Sequence, residues 1–203
     1  MATLTIGGKT VFTQSGTDEP VLSSDITGTL GSAVVFPAGH VIQVKSAIRN
    51  TEWQGPDTVN ANHTLFATDT STTTAHTNTA FKVEITPASS ASKFFVQYAI
   101  NIGNESSGIS LKLHRGIATS PIYGSSGSRT AQSSSKEWTG DSNQSSQTYY
   151  SILDEPATDS TLTYYLTYAY FGQKPWFNTN ISRGGQAYDD AYTSTLTVME
   201  VSG

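Results

Sequence analysis

The stretch that decides the fold is "STLTYYLTYAYF", residues 160–171, where five aromatic rings share twelve positions with hydroxyl and small apolar side chains. β-Branched and aromatic residues favour a pleated strand over a helix, and the hydroxyls make the stretch too polar for a membrane span. With side chains alternating from face to face, Leu162, Tyr164, Leu166, Tyr168 and Tyr170 share one side. Thr161, Thr163, Tyr165, Thr167, Ala169 and Phe171 share the other. The leucines make the first side the expected core face. The second side still carries Tyr165 and Phe171, so bulky groups stand on both.

The same alternation recurs along the chain. "VIQVKSAI" sets Ile42, Val44 and Ile48 against Gln43 and Lys45, and "FKVEI" sets Phe81, Val83 and Ile85 against Lys82 and Glu84. "FFVQYAINI" places Phe94, Val96, Tyr98, Ile100 and Ile102 on one face, with Phe95, Gln97, Ala99 and Asn101 on the other. "ISLKLHRG" and "STLTVMEV" alternate in the same way, as strands do when one face meets a core and the other is wetter. "GNESSG" at 103–108 reads as a hairpin connection. Residues 124–147 read as a long polar loop around Trp138, and 171–192 as a second loop richer in aromatics. No helix and no internal repeat is expected. About eight strands in two facing sheets make an all-β protein, an antiparallel jelly-roll β-sandwich.

That sandwich is assigned to residues 31–203, and residues 1–30 form an N-terminal extended arm. Two short strand-like pieces, Leu4 to Ile6 and Thr10 to Thr13, flank Gly7-Gly8, and a Gly-, Ser-, Asp- and Pro-containing run follows. Ile6, Val11, Phe12, Val21, Leu22 and Ile26 would lie in water in a loose tail, which argues for an ordered arm.

Composition agrees and narrows the function. Ser and Thr fill 57 of the 203 positions and charged residues only 13%, a balance suited to strands and turns. With no cysteine, the chain needs no oxidising compartment. The net charge is −5 and the eleven Lys and Arg residues are scattered singly, so no basic stripe supports nucleic-acid binding. The start, "MATLTIGGKTVF", lacks a basic and an apolar region, so no secretory signal is expected. No run is long and apolar enough for membrane insertion.

Candidate chemistry is sparse. His40, His63, His76 and His114 stand outside metal-ligand spacing of one another, so no metal site and no cofactor are expected. His114 follows "SLKL" on the polar face and reads as a solvated strand-end residue. Glycosidases need two carboxyl groups facing one substrate, which draws attention to Asp154-Glu155 and Asp189-Asp190. Asp154 and Glu155 precede Pro156 and read as turn residues. Asp189 and Asp190 lack the alternate-position acids and glycine of a hard-cation loop. No enzymatic role is expected.

Two surfaces remain. Phe95, Tyr165 and Phe171, on the second faces of their strands, are a candidate subunit interface, since such contacts favour aromatic rings and avoid charge. The late loop gathers Trp176, Phe177, Asn178, Asn180, Arg183, Tyr188 and Tyr192, rings and amides of the kind that form a recognition site. The alternative for "KPWF" is that its rings tuck under the loop and close one end of the sandwich.

On "TLTIGGKTVFTQSGTDEPVLSS", "FPAGHVIQV", "SLKLHRG" with the Ser/Gly-rich loop after it, and the closing "STLTVMEV", the chain resembles small virion structural proteins of tailed bacteriophages of cyanobacteria and other aquatic bacteria. Its strand order looks like the jelly roll of C1q-like and tumour-necrosis-factor-like trimers. The resemblance implies a homotrimer packed sheet against sheet on the outer surface of a virion, made in the host cytoplasm. It also implies that the arm joins other virion structural proteins. It fits a surface fibre or appendage for attachment, with host surface glycans as ligands, or a capsid decoration protein; a free lectin-like module is the alternative outside that class.

Overall fold

A computed structural model describes residues 2–6, 9–14, 21–22, 38–56, 63–68, 79–103, 109–116, 122, 125–126, 129–130, 134–136, 145–170, 172, 174–179 and 192–203. For 2–22, 125–136 and 145–146 the description is of the backbone. The chain forms two compact units, Met1–Phe36 and Pro37–Gly203. In the first, β1 (Ala2–Ile6), β2 (Lys9–Gln14) and β3 (Val21–Leu22) pair antiparallel in that order. Ile6 faces Lys9 across the Gly7-Gly8 connection.

The second unit contains β4 (Val41–Arg49), β5 (Trp53–Gln54), β6 (His63–Thr64), β7 (Lys82–Ile85), β8 (Lys93–Gly103) and β9 (Ile109–Arg115). After them come β10 (Ser125–Ser126), β11 (Arg129–Thr130), β12 (Ser134–Lys136), β13 (Ser145–Asp154), β14 (Leu162–Tyr170), β15 (Trp176–Phe177) and β16 (Ser194–Val201). The small β10–β11 pair stands apart from the two main sheets. One main sheet runs β4-β16-β8-β13, and short β15 and β5 extend it beside the end of β8. The other runs β12-β9-β14, with β7 and β6 sharing the far side of β14. All main pairings are antiparallel, and there is no helix among the described residues. Along the chain the eight long or central strands alternate between sheets, except that β9 and β12 are neighbours in one. That is a jelly roll.

The two sheets meet through the expected faces. Leu162, Tyr164, Leu166, Tyr168 and Tyr170 of β14, with Ile109, Leu111 and Leu113 of β9, pack towards Phe94, Val96, Tyr98, Ile100 and Ile102 of β8 and Leu196 and Val198 of β16. Burying each such side chain is worth about 1.5–3 kcal/mol, enough collectively to hold the layers without metal or disulfide.

Four sequence readings need correction. "GNESSG" does not close a hairpin, because β8 and β9 lie in different sheets and pair with different strands. The polar run to Gln147 is not wholly a loop, since β12 lies in it and Ser145–Gln147 already pair with β8. His114 is not solvated. It is buried, with Nε2 2.8 Å from Thr167 Oγ1 and its ring stacked on Tyr165 at 5.1 Å. Ser110 and Lys112 on the same face are only half-buried, so the burial is local to His114 and its partners Tyr165 and Thr167 on β14. In β4, finally, Val44 and Ile48 point out of the sandwich, as the register below demonstrates.

Candidate subunit interface

Residues directly opposite each other in an antiparallel pair project to the same face, with Cβ atoms about 4.5–5.5 Å apart. The registers of β4, β16, β8 and β13 therefore lay out the outer face of the first sheet row by row. Val44 is opposite Met199, Met199 opposite Phe95, and Phe95 opposite Leu153. Two residues along, Ser46, Thr197, Gln97 and Ser151 line up in the same way. Two further, Ile48, Thr195, Ala99 and Tyr149 do. The inward residues between these rows include Phe94, Val96, Tyr98, Leu196 and Val198, all fully buried, which fixes the remaining set as outward.

This face is uncharged and open. Val44 is 54% exposed, Ile48 67%, Tyr149 64% and Leu153 52%, while Phe95 and Met199 are half-buried between their neighbours. The twelve positions of the three rows carry no charge. Among the described residues, charge appears at one end of the face, where Lys93 Nζ lies 2.8 Å from Glu155 Oε1. Depletion of charge at the centre is the composition of a protein–protein contact.

Of the expected interface residues, Phe95 belongs to this face. Tyr165 does not. It is fully buried within the chain against His114, on the other sheet, and has no surface left for a partner. Burial raises its phenol pKa. Phe171 lies outside the described residues. Val44, Ile48, Met199, Tyr149 and Leu153 were missed. Alternation gives the period of a strand but not which side is the core, and a strand whose inner side is Gln43, Lys45 and Ala47 inverts the usual rule. Those polar residues are used at the sheet edge, where Lys45 Nζ donates to Glu84 O at 2.8 Å. Gln43 Nε2 donates to the buried carboxylate of Glu200, Oε2, at 2.5 Å.

The late loop splits in two. Phe177 is fully buried, with its ring 5.1 Å from Tyr168 and 5.6 Å from Trp53. Asn178 is buried too, at φ 61°, a left-handed conformation that Asn tolerates better than most residues. Its Nδ2 donates to Arg49 O and Thr51 O, each at 3.1 Å, and its Oδ1 accepts from Ser194 Oγ at 2.5 Å. Both residues therefore close one end of the sandwich and are unavailable to a ligand. Trp176 and Tyr192 are half-buried, and Tyr192 N donates to Asn178 O at 3.0 Å. Asn180, Arg183 and Tyr188 lie outside the described residues, as do Trp138, Asp189 and Asp190.

The paired acids Asp154 and Glu155 do not share a site. Asp154 is buried and accepts from Arg115 Nη1 at 2.5 and 2.7 Å and from Tyr164 Oη at 2.7 Å. It ties β13 of one sheet to β9 and β14 of the other. Glu155 lies outside with Lys93. Burial, then the bond to Asp154 and its charge, push the Tyr164 phenol well above its usual pKa. No group of three or more His, Cys, Asp or Glu among the described residues is placed to hold a metal ion. Nor is any helix among them long and apolar enough to cross a membrane. The chain matches no protein-family model, and no curated protein matches it.

Proposed function

We propose that this chain is a non-enzymatic virion structural protein of a tailed bacteriophage, a trimeric surface appendage for attachment, joined to other virion proteins by its N-terminal arm. The observation that carries the assembly is the outer face of β4-β16-β8-β13, where apolar groups more than half exposed surround half-buried Phe95 without a charge among them. Four strands about 4.8 Å apart, over three rows that span about 20 Å, cover on the order of 400 Å² in plan, about half of the ~800 Å² per partner of a standard interface. A chain of net charge −5 repels its own copies, and this neutral surface is where that repulsion is weakest. A second copy therefore fits it better than a charged partner. The phage assignment rests on the sequence resemblance. Three weak sites on one axis gain avidity for a repetitive host surface.

Light scattering on the intact chain tests the assembly. The expected mass is three times the 21.7 kDa of one chain, and a monomer at tens of micromolar overturns the reading. Limited proteolysis of the arm on whole particles then separates positions on the virion: protection on tails or baseplates supports an attachment appendage, and protection on capsids supports decoration.

A further inference from the structure

The outer face of the first sheet is banded. An apolar row, Val44, Met199, Phe95 and Leu153, and a second that is apolar save for Thr195, made of Ile48, Thr195, Ala99 and Tyr149, lie on either side of a polar one, Ser46, Thr197, Gln97 and Ser151. Ser46, Gln97 and Ser151 are exposed in the single chain. Ser46 Oγ and Thr197 Oγ1 already bond to each other at 2.9 Å. We infer that this polar row is a register layer: when the face closes on further copies of the chain, Gln97 and its neighbours meet the same row of those copies and fix both alignment and copy number. The inference rests on the assembly proposed above.

The reasoning is one of penalties. Closing an apolar face on another is favourable in many alignments, because hydrophobic contact is non-directional. A polar row removes that freedom. Sliding one copy by two residues sets Gln97 against Phe95 or Ala99, and each buried amide or hydroxyl left without a partner costs about 1–3 kcal/mol. In the matched alignment Gln97 presents two N–H donors and a carbonyl acceptor to hydroxyls and amides at the same height. A buried polar position in a coiled coil acts in the same way, specifying register and oligomer state at some loss of stability.

The test replaces the layer without touching the core. In Gln97→Leu/Thr197→Val both side chains lie on the outer face, so the jelly roll is expected to survive, as checked by circular dichroism and the thermal midpoint. Native mass spectrometry over a dilution series reads the outcome. The unmodified chain is expected to give a single stoichiometry. The variant is expected to associate at least as tightly, with a dissociation midpoint no higher than that of the unmodified chain, but over two or more stoichiometries. A variant that keeps the one original stoichiometry overturns the register layer and leaves the assembly intact. An unmodified chain that is monomeric overturns the assembly and the layer together, whether the face is then covered by another segment of the chain or by a different partner.

Discussion

At Asp154 a residue that reads as turn punctuation acts as a clamp between two sheets. Its carboxylate is almost wholly buried and bound by Arg115 and Tyr164. Removing the charge leaves the guanidinium facing a neutral group in a partly dry site. Breaking a buried pair costs about 3–5 kcal/mol, but the Arg115 side chain is 33% exposed and water recovers part of that. Asp154→Asn is accordingly expected to cost about 2 kcal/mol, read as a lowered urea midpoint with unchanged slope; an unshifted midpoint would refute the clamp. Asn178 is the second such residue. Asn178→Ala loses bonds to Arg49, Thr51 and Ser194 and puts a Cβ without local hydrogen bonding at φ 61°. About 1 kcal/mol per bond and about 1–2 for the backbone give an expected loss of about 4 kcal/mol. A variant of wild-type stability would return Asn178 to the list of recognition residues.

At the scale of the strand, β14 shows how much a sequence discloses. Its period and core face were legible because leucines and tyrosines alternate with threonines. What alternation does not reveal is whether the second face is covered. Tyr165 and Thr167 are as buried as the residues facing inward, packed with His114 of the neighbouring β9. β4 shows the converse: its hydrophobic residues look like a core stripe, but Gln43 and Lys45 take the inner side by bonding across the sheet edge. β13 was hidden because its first residues are Ser, Ser and Gln, and only backbone pairing with β8 makes them a strand. The tyrosines of β14 give this element a pH signature. Burial raises the phenol pKa of Tyr164, Tyr165 and Tyr168, furthest for Tyr164 and Tyr168, so the folded chain holds them neutral to higher pH than the unfolded chain, which ionises them above about pH 10. Stability from these groups is whole below pH 10 and falls as pH rises further, by about 1.4 kcal/mol per tyrosine per pH unit while the folded phenol stays protonated. Absorbance titration is expected to show them ionising only together with loss of the fold. Smooth ionisation of all ten tyrosines in a still-folded chain would contradict this.

At the scale of the whole molecule, the interior and the proposed contact surface obey different rules, and that difference can be measured. The jelly roll was legible because its core repeats at strand period, whereas the outer face emerges only when four registers are superposed, since Val44, Met199, Phe95 and Leu153 are far apart in sequence. An unpaired charge in the core would destroy the fold. On the outer face it meets water in the single chain and is harmful only when another copy arrives. Val44→Glu and Leu153→Glu fall at positions 54% and 52% exposed, and surface substitutions of this kind usually change monomer stability by no more than about 0.5 kcal/mol. In the proposed trimer, three copies of each new carboxylate brought together on a dry interface repel one another and lose their hydration. The double variant is therefore expected to keep its circular dichroism and thermal midpoint under dissociating conditions. Its association is expected to weaken at least tenfold, a loss of about 1.4 kcal/mol, by light scattering across a concentration series. Raised salt should restore part of the association by screening the added charges. If the variant assembles at the wild-type concentration, these four strands do not form the contact.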